Sequence, residues 1–156
     1  MGILKKIIGL LLVLLVILQF FQPEKNESEV TTLEPFIAEV NPSKEVHQIL
    51  KTACFDCHTN TTNYPWYSSV TPVNYWMANH VSEGKEELNF SDWASYSLKK
   101  KKHKMKEVWE EVEKKKMLLN SYTWTHTNAK LTQEQIQQVV DWAKEVQSKY
   151  EQQLAN

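Results

Sequence analysis

Apolar positions fall into two regimes along the chain. From Ile7 to Phe21 they form a run broken only by Gly9 and Gln19, with Lys5 and Lys6 just before it. A charged onset followed by an apolar stretch reads as an export signal or an N-terminal anchor. A membrane span needs about 17–25 residues. The fifteen from Ile7 fall short, but counting from Ile3, with both lysines snorkelling toward head groups, gives nineteen. No small-x-small cleavage site follows, since the chain continues Gln19-Phe20-Phe21-Gln22-Pro23. Residues 1–22 are therefore expected to form an uncleaved signal anchor, a single-pass transmembrane helix in the cytoplasmic membrane. Lysines on the short N-terminal side predict an N-in orientation, with the remainder on the periplasmic, extracytoplasmic side. Residues 23–40, where Glu, Ser and Thr interleave, have the composition of a linker.

Beyond the linker the apolar residues recur at spacings of three and four, the signature of amphipathic helices. Asn41-Pro42 can open a first helix, whose stripe is Val46, Ile49, Leu50 and Ala53. Pro72 precedes a second through Trp76, Met77, His80 and Val81, with Gly84 as its C-cap. Ser91 can cap a third region running through Lys99–Lys102 and Lys104 to Val108, Trp109 and Val112. Met117 to Lys130 lacks periodicity and reads as a loop. Thr132 and Gln135 fit a capping box before a last helix striped by Ile136, Val139, Val140, Ala143 and Val146. No segment alternates over strand length, so residues 41–156 predict one small all-α domain.

Composition narrows the functions. The 156 residues carry a formal net charge of −1, and every one of the 18 basic residues is Lys. Without Arg there is no bidentate phosphate clamp, and three Gly leave no phosphate-cradling loop. No nucleic-acid partner is expected. The lysines from Lys99 to Lys104 read as a solvated helix face, or as a patch that steers an acidic redox partner.

The only two cysteines lie in Cys54-Phe55-Asp56-Cys57-His58. Thiols three residues apart on one helical face can each add to a vinyl group of one haem. The following histidine then lies where its imidazole can ligate iron, and this order is the c-type attachment signature. The competing readings are poorer. Structural zinc needs a second ligand pair, whereas His47, His80, His103 and His126 are scattered singly. A thioredoxin-like motif needs a βαβ context, and a disulfide across three residues closes too small a loop to stabilise much. One covalent haem c per chain is expected, on Cys54, Cys57 and His58. Trp66, Tyr67 and Trp76 are expected near it, as aromatic surface for the macrocycle. The second axial position is open among Met77, His80, Met105, Met117 and His126.

Two resemblances sharpen this. An N-terminal helix entering CxxCH, middle helices, a Met loop and a final helix resembles the small cytochromes c. That likeness implies Met117, fifty-nine positions beyond His58 and just before the last helix, as the distal ligand. The stretch Cys54 to Tyr67, together with His80–Lys85, Leu88–Trp93, Ser121–His126 and Ala129–Thr132, resembles the bacterial haem-binding domain family from about Asn41 to Ala143. That family's pattern holds the CxxCH site and a later Met normally followed by Pro, where this chain has Leu118. The expected function is a membrane-tethered monohaem cytochrome passing electrons between redox proteins, a carrier rather than an enzyme. The alternative is a peroxidase-like haem enzyme, or a redox or gas sensor, with an open distal site. The oligomeric state is not readable from the sequence.

Overall fold

A computed structural model describes residues 2–28 and 32–156. Eight α-helices occur among them: α1 (Ile3–Leu18), α2 (Glu34–Val40), α3 (Lys44–Ala53), α4 (Phe55–His58), α5 (Val73–Glu87), α6 (Leu98–Glu113), α7 (Asn120–Thr125) and α8 (Gln133–Ala155). Three 3-10 turns join them, at Trp66–Ser69, Phe90–Ser95 and Thr127–Ala129. The described residues form no strand, only an isolated antiparallel bridge between Glu27 and Thr61. The all-α expectation holds.

Local chemistry sets the boundaries. Ser43 caps α3 by accepting from the Val46 N–H, and Ser97 caps α6 by accepting from Lys100. Thr132 and Gln135 form the expected capping box of α8. Asn41 does not open a helix. It closes α2 in the left-handed conformation (φ 42°), which Asn tolerates better than most residues. Ser91 is likewise no helix cap, because Asn89 accepts its N–H and starts a 3-10 turn. The loop expected from Met117 to Lys130 contains α7, a helix too short for periodicity to reveal.

The core is aromatic and closed from both ends of the domain. Phe36 is fully buried, 4.4 Å from Phe90, 5.2 Å from Trp93 and 6.3 Å from Trp142, centroid to centroid. Val46, Ile49 and Leu50 of α3 and Val139, Val140, Ala143 and Val146 of α8 complete it, with Met105 buried from α6. α8 packs along α6 and against α3. Glu39 receives hydrogen bonds from Lys101 and from Tyr150, so α2 is tied to α6 and α8 as well.

Residues 23–40 are thus not a free linker, although 29–31 of that stretch lie outside the described residues. Glu34–Val40 is helix, with Phe36 and Val40 in the core. Upstream, the Asn26 N–H donates to the Tyr64 hydroxyl, its amide donates to the Thr59 carbonyl, and its Oδ1 accepts from Lys85. One Phe among acids and hydroxyls leaves the composition polar while supplying the centre of the core.

The transmembrane expectation is also corrected. No helix among the described residues is long and apolar enough to cross a membrane. Sixteen residues of α1 extend about 24 Å, against about 30 Å of hydrocarbon. The helix stops at Leu18 because the next residues engage the domain. The Gln19 side chain accepts from the Thr71 N–H and donates to the Thr71 carbonyl, and Gln22 accepts from the Asn74 side chain.

Phe36→Ala is expected to destabilise the domain by about 3–5 kcal/mol in chemical denaturation, the range for emptying a buried aromatic position. A linker residue would leave the midpoint unchanged.

Candidate functional site

The chain turns sharply at Cys54 (φ −120°), where α3 gives way to the single turn α4 carrying Asp56, Cys57 and His58. Phe55 points inward, buried against Phe90 at 5.6 Å, and fixes the rotation of this turn. The two thiols and the imidazole are left part-buried at the surface of two adjoining cavities.

One cavity, of about 320 Å³, is lined by Cys54, His58, Phe90, Val108, Met117 and Val139 among others. The other, of about 380 Å³, is lined by Cys57, His58, His80, Gly84, Met117 and Tyr122 among others. Each falls within the range of small-molecule sites, about 300–1,000 Å³. Cys54, Cys57, His58 and Met117 are therefore brought to one place.

His58 is held by α5. Its Nδ1 lies 2.8 Å from the Gly84 carbonyl oxygen and 3.0 Å from that of Leu88. Carbonyls only accept, so Nδ1 carries the proton and, in the neutral ring, Nε2 keeps its lone pair. Burial pulls the imidazole below its ordinary pKa, against the two carbonyl bonds that raise it. The ring is set as a neutral Nε2 donor, the form and second-shell support in which histidine ligates metals.

Gly84 permits this approach. A Cβ there would lie 2.8 Å from the Cys57 carbonyl oxygen and 3.1 Å from its Cβ. The residue expected to end the second helix sits inside α5, which continues to Glu87, and its role is close packing. Asp56 braces the motif from the other side. One of its oxygens accepts from the Asn63 backbone and side chain, the other from the Tyr122 hydroxyl at 2.8 Å. Burial and this bond push the Tyr122 phenol well above its usual range, so it stays a donor. Burial also raises the thiols, Cys54 to about 12 with help from Cys57, and Cys57 to about 11 with help from Asp56. Both are neutral at physiological pH.

Other expected residues lie elsewhere. Trp66 is 83 % exposed and lines neither cavity, because its 3-10 turn directs it to solvent. Tyr67 and Trp76 line a separate small cavity beside Cys57, together with Met77, His80 and His126. They border Cys57 and not the cavities shared by His58 and Met117. Met105 is core, fully buried under α6. His126 stacks on Tyr122 at 4.1 Å and lies outside the His58 cavities. His80 lines the Cys57–Met117 cavity and packs on Trp76 at 4.6 Å. The lysine run is largely neutralised within the fold: Lys101 pairs with Glu39, Lys102 with Glu151, and Lys104 with Glu87 and Glu107. Asp56 and Tyr122 had no assigned part in the sequence reading, and Gly84 had one only as a helix end. Asp56, enclosed between the two cysteines, was the one visible signal among them.

A helical domain that gathers two thiols, a pre-set imidazole and a thioether around apolar cavities is suited to hold a large planar metal cofactor. The family described as the haem-binding domain matches residues 13–145, and the chain belongs to it. No curated protein and no solved structure matches the chain. The residues present fit haem: an imidazole with a free Nε2, apolar walls, and one thiol lining each of the two adjoining cavities.

Two outcomes follow. Gly84→Ala is expected to cost about 1–3 kcal/mol through overpacking and to shift α5 from His58, read by denaturation and by haem retention. In the folded haem-free chain, the rise of Cys57 from 9.0 to about 11 lowers its thiolate fraction at pH 8 about a hundredfold. Alkylation by iodoacetamide should be slow there and speed up greatly in denaturant. Because the thiols ionise more readily once unfolded, they favour the fold below pH 9, and that contribution declines as pH rises from about 9 toward 12.

Proposed function

We propose that this protein is a monohaem c-type cytochrome that transfers electrons. The observation that carries the reading is the convergence of Cys54, Cys57, His58 and Met117 on adjoining cavities, with the His58 Nδ1–H already committed to two carbonyls.

In this reading Cys54 and Cys57 would hold the haem, each thiol adding across one vinyl double bond so that its sulfur bonds one vinyl carbon and its proton the other, with no oxidant consumed. His58 Nε2 and the Met117 thioether would be the groups that hold the iron. When bound, the haem supplies a one-electron iron centre whose potential His/Met ligation raises relative to bis-His. The protein's part is to orient the imidazole through Gly84 and Leu88, to hold the attachment turn through Asp56 and Tyr122, and to exclude water with Phe90, Val108 and Val139. The Lys5/Lys6 onset and apolar α1 support export of the domain and its retention at the membrane on the extracytoplasmic side, near redox partner proteins.

His80 favours a second reading, a haem enzyme or sensor. It lines the Met117 cavity, and its Nδ1 is buried without a hydrogen-bond partner, with a Glu83 carboxylate oxygen 3.7 Å away. Such a group could serve a ligand at a vacated distal position.

Absorption spectra of the haem-loaded protein, oxidised, reduced and with carbon monoxide, separate the two. A c-type reduced spectrum that resists acid-acetone extraction, a far-red Met–iron band lost in Met117→Ala, and no carbon monoxide shift are expected. A high-spin oxidised spectrum with ready carbon monoxide binding would replace the carrier with the enzyme or sensor. Haem removed by acid-acetone would refute covalent attachment.

A further inference from the structure

We propose that the haem-binding domain rests directly on a lipid bilayer in one fixed orientation, through a collar of exposed aromatic residues around the base of α1. This rests on the reading of the protein as membrane-associated, and replaces a swinging tether with a rigid seat.

Three observations carry it. First, α1 buries none of its residues against the domain, and no carboxylate occurs before Glu24, so the whole apolar helix is left for a solvent other than water. Second, the junction with the domain is held by a set of hydrogen bonds. Gln19 makes the paired bonds with the Thr71 backbone, the Thr71 hydroxyl donates to the Leu18 carbonyl, and Asn74 donates to Gln22. Thr71 is 4 % exposed and Asn74 3 %, so swinging α1 away from the domain would take partners from polar groups that the domain buries.

Third, the exposed apolar surface gathers at this junction. Outside α1, nine large hydrophobic residues are exposed among the described residues, and six of them adjoin the clamp in the chain: Phe20, Phe21, Trp66, Val70, Tyr75 and Trp76. Phe20 and Phe21 follow Gln19, Val70 precedes Thr71, and Tyr75 and Trp76 follow Asn74. Trp66 opens the 3-10 turn whose last residue, Ser69, accepts from Gln22. Scattered exposed apolar residues need no explanation, but a contiguous group marks a contact surface. Trp and Tyr, apolar in body with a polar edge, are the side chains that settle at the head-group level. The lipid surface is favoured over a protein partner because these residues adjoin the junction of an element that itself presents only apolar side chains and two lysines. The domain would thereby hold its His58–Met117 cavities at a constant angle to the membrane.

The test uses the full-length, haem-loaded protein in vesicles of phosphatidylethanolamine and phosphatidylglycerol. Co-sedimentation is measured first, and then electron paramagnetic resonance of the ferric haem in aligned multilayers. The expected result is membrane-bound protein whose haem signal changes as the sample is tilted in the field. That angular dependence should be lost in Gln19→Ala/Gln22→Ala. It should also broaden in Phe20→Ser/Phe21→Ser/Tyr75→Ser, whose positions are exposed and leave the core untouched. A wild-type protein that sediments with vesicles but shows no angular dependence would overturn the fixed seat and leave membrane association standing. Protein that stays in the supernatant would overturn both.

Discussion

The close contact between α5 and the turn α4, which carries Cys57 and His58, is the constraint on which the site depends. At Gly84 the helix backbone comes so near Cys57 that no side chain fits between them, and at that distance its carbonyl reaches the His58 ring. One missing Cβ therefore does two things. It lets α5 lie on α4, and it decides which imidazole nitrogen carries the proton. The Leu88 carbonyl is available as the second acceptor because α5 ends at Glu87, leaving the Leu88 oxygen free of the helix ladder. Orientation, tautomer and the position of the free Nε2 are one geometric fact.

The aromatic core holds this contact in place from behind. Phe90 touches Phe36, Phe55 and Trp93, and its ring lies 6.3 Å from that of His58, so it joins the buried centre to the wall of the cavity. Val139 does the same from α8, being both core and cavity lining. Asp56, facing away from the core, secures the opposite edge through Asn63 and Tyr122. The motif is thus gripped on both sides while Cys54, Cys57 and His58 border the cavities.

What the sequence disclosed follows what each signal measures. Helical stripes in α3 and α8 and the capping box at Thr132 are local, and they appear where expected. The CxxCH motif is a dense chemical signal, and its family is the one to which the chain belongs. Phe36 was overlooked because a seven-residue helix with one central anchor has no period to detect. Gly84 was taken for a helix end because glycine usually marks one, whereas here a tertiary contact required it. Trp66 was placed near the cofactor on chemical type alone, which says nothing about direction. Gln19 interrupted the apolar run visibly, but only the fold shows that its amide was reserved for Thr71.

The ties among Phe36, Glu39, Trp142 and Tyr150 have a consequence in time. They join residues more than a hundred positions apart, so the core closes only when the last helix is available. A chain emerging N-terminus first displays Cys54, Cys57 and His58 long before α8 exists to close the core behind them. In the finished domain those thiols are sheltered and protonated. Whatever chemistry they undergo has its natural moment in that interval, when the motif is made and the core is still open.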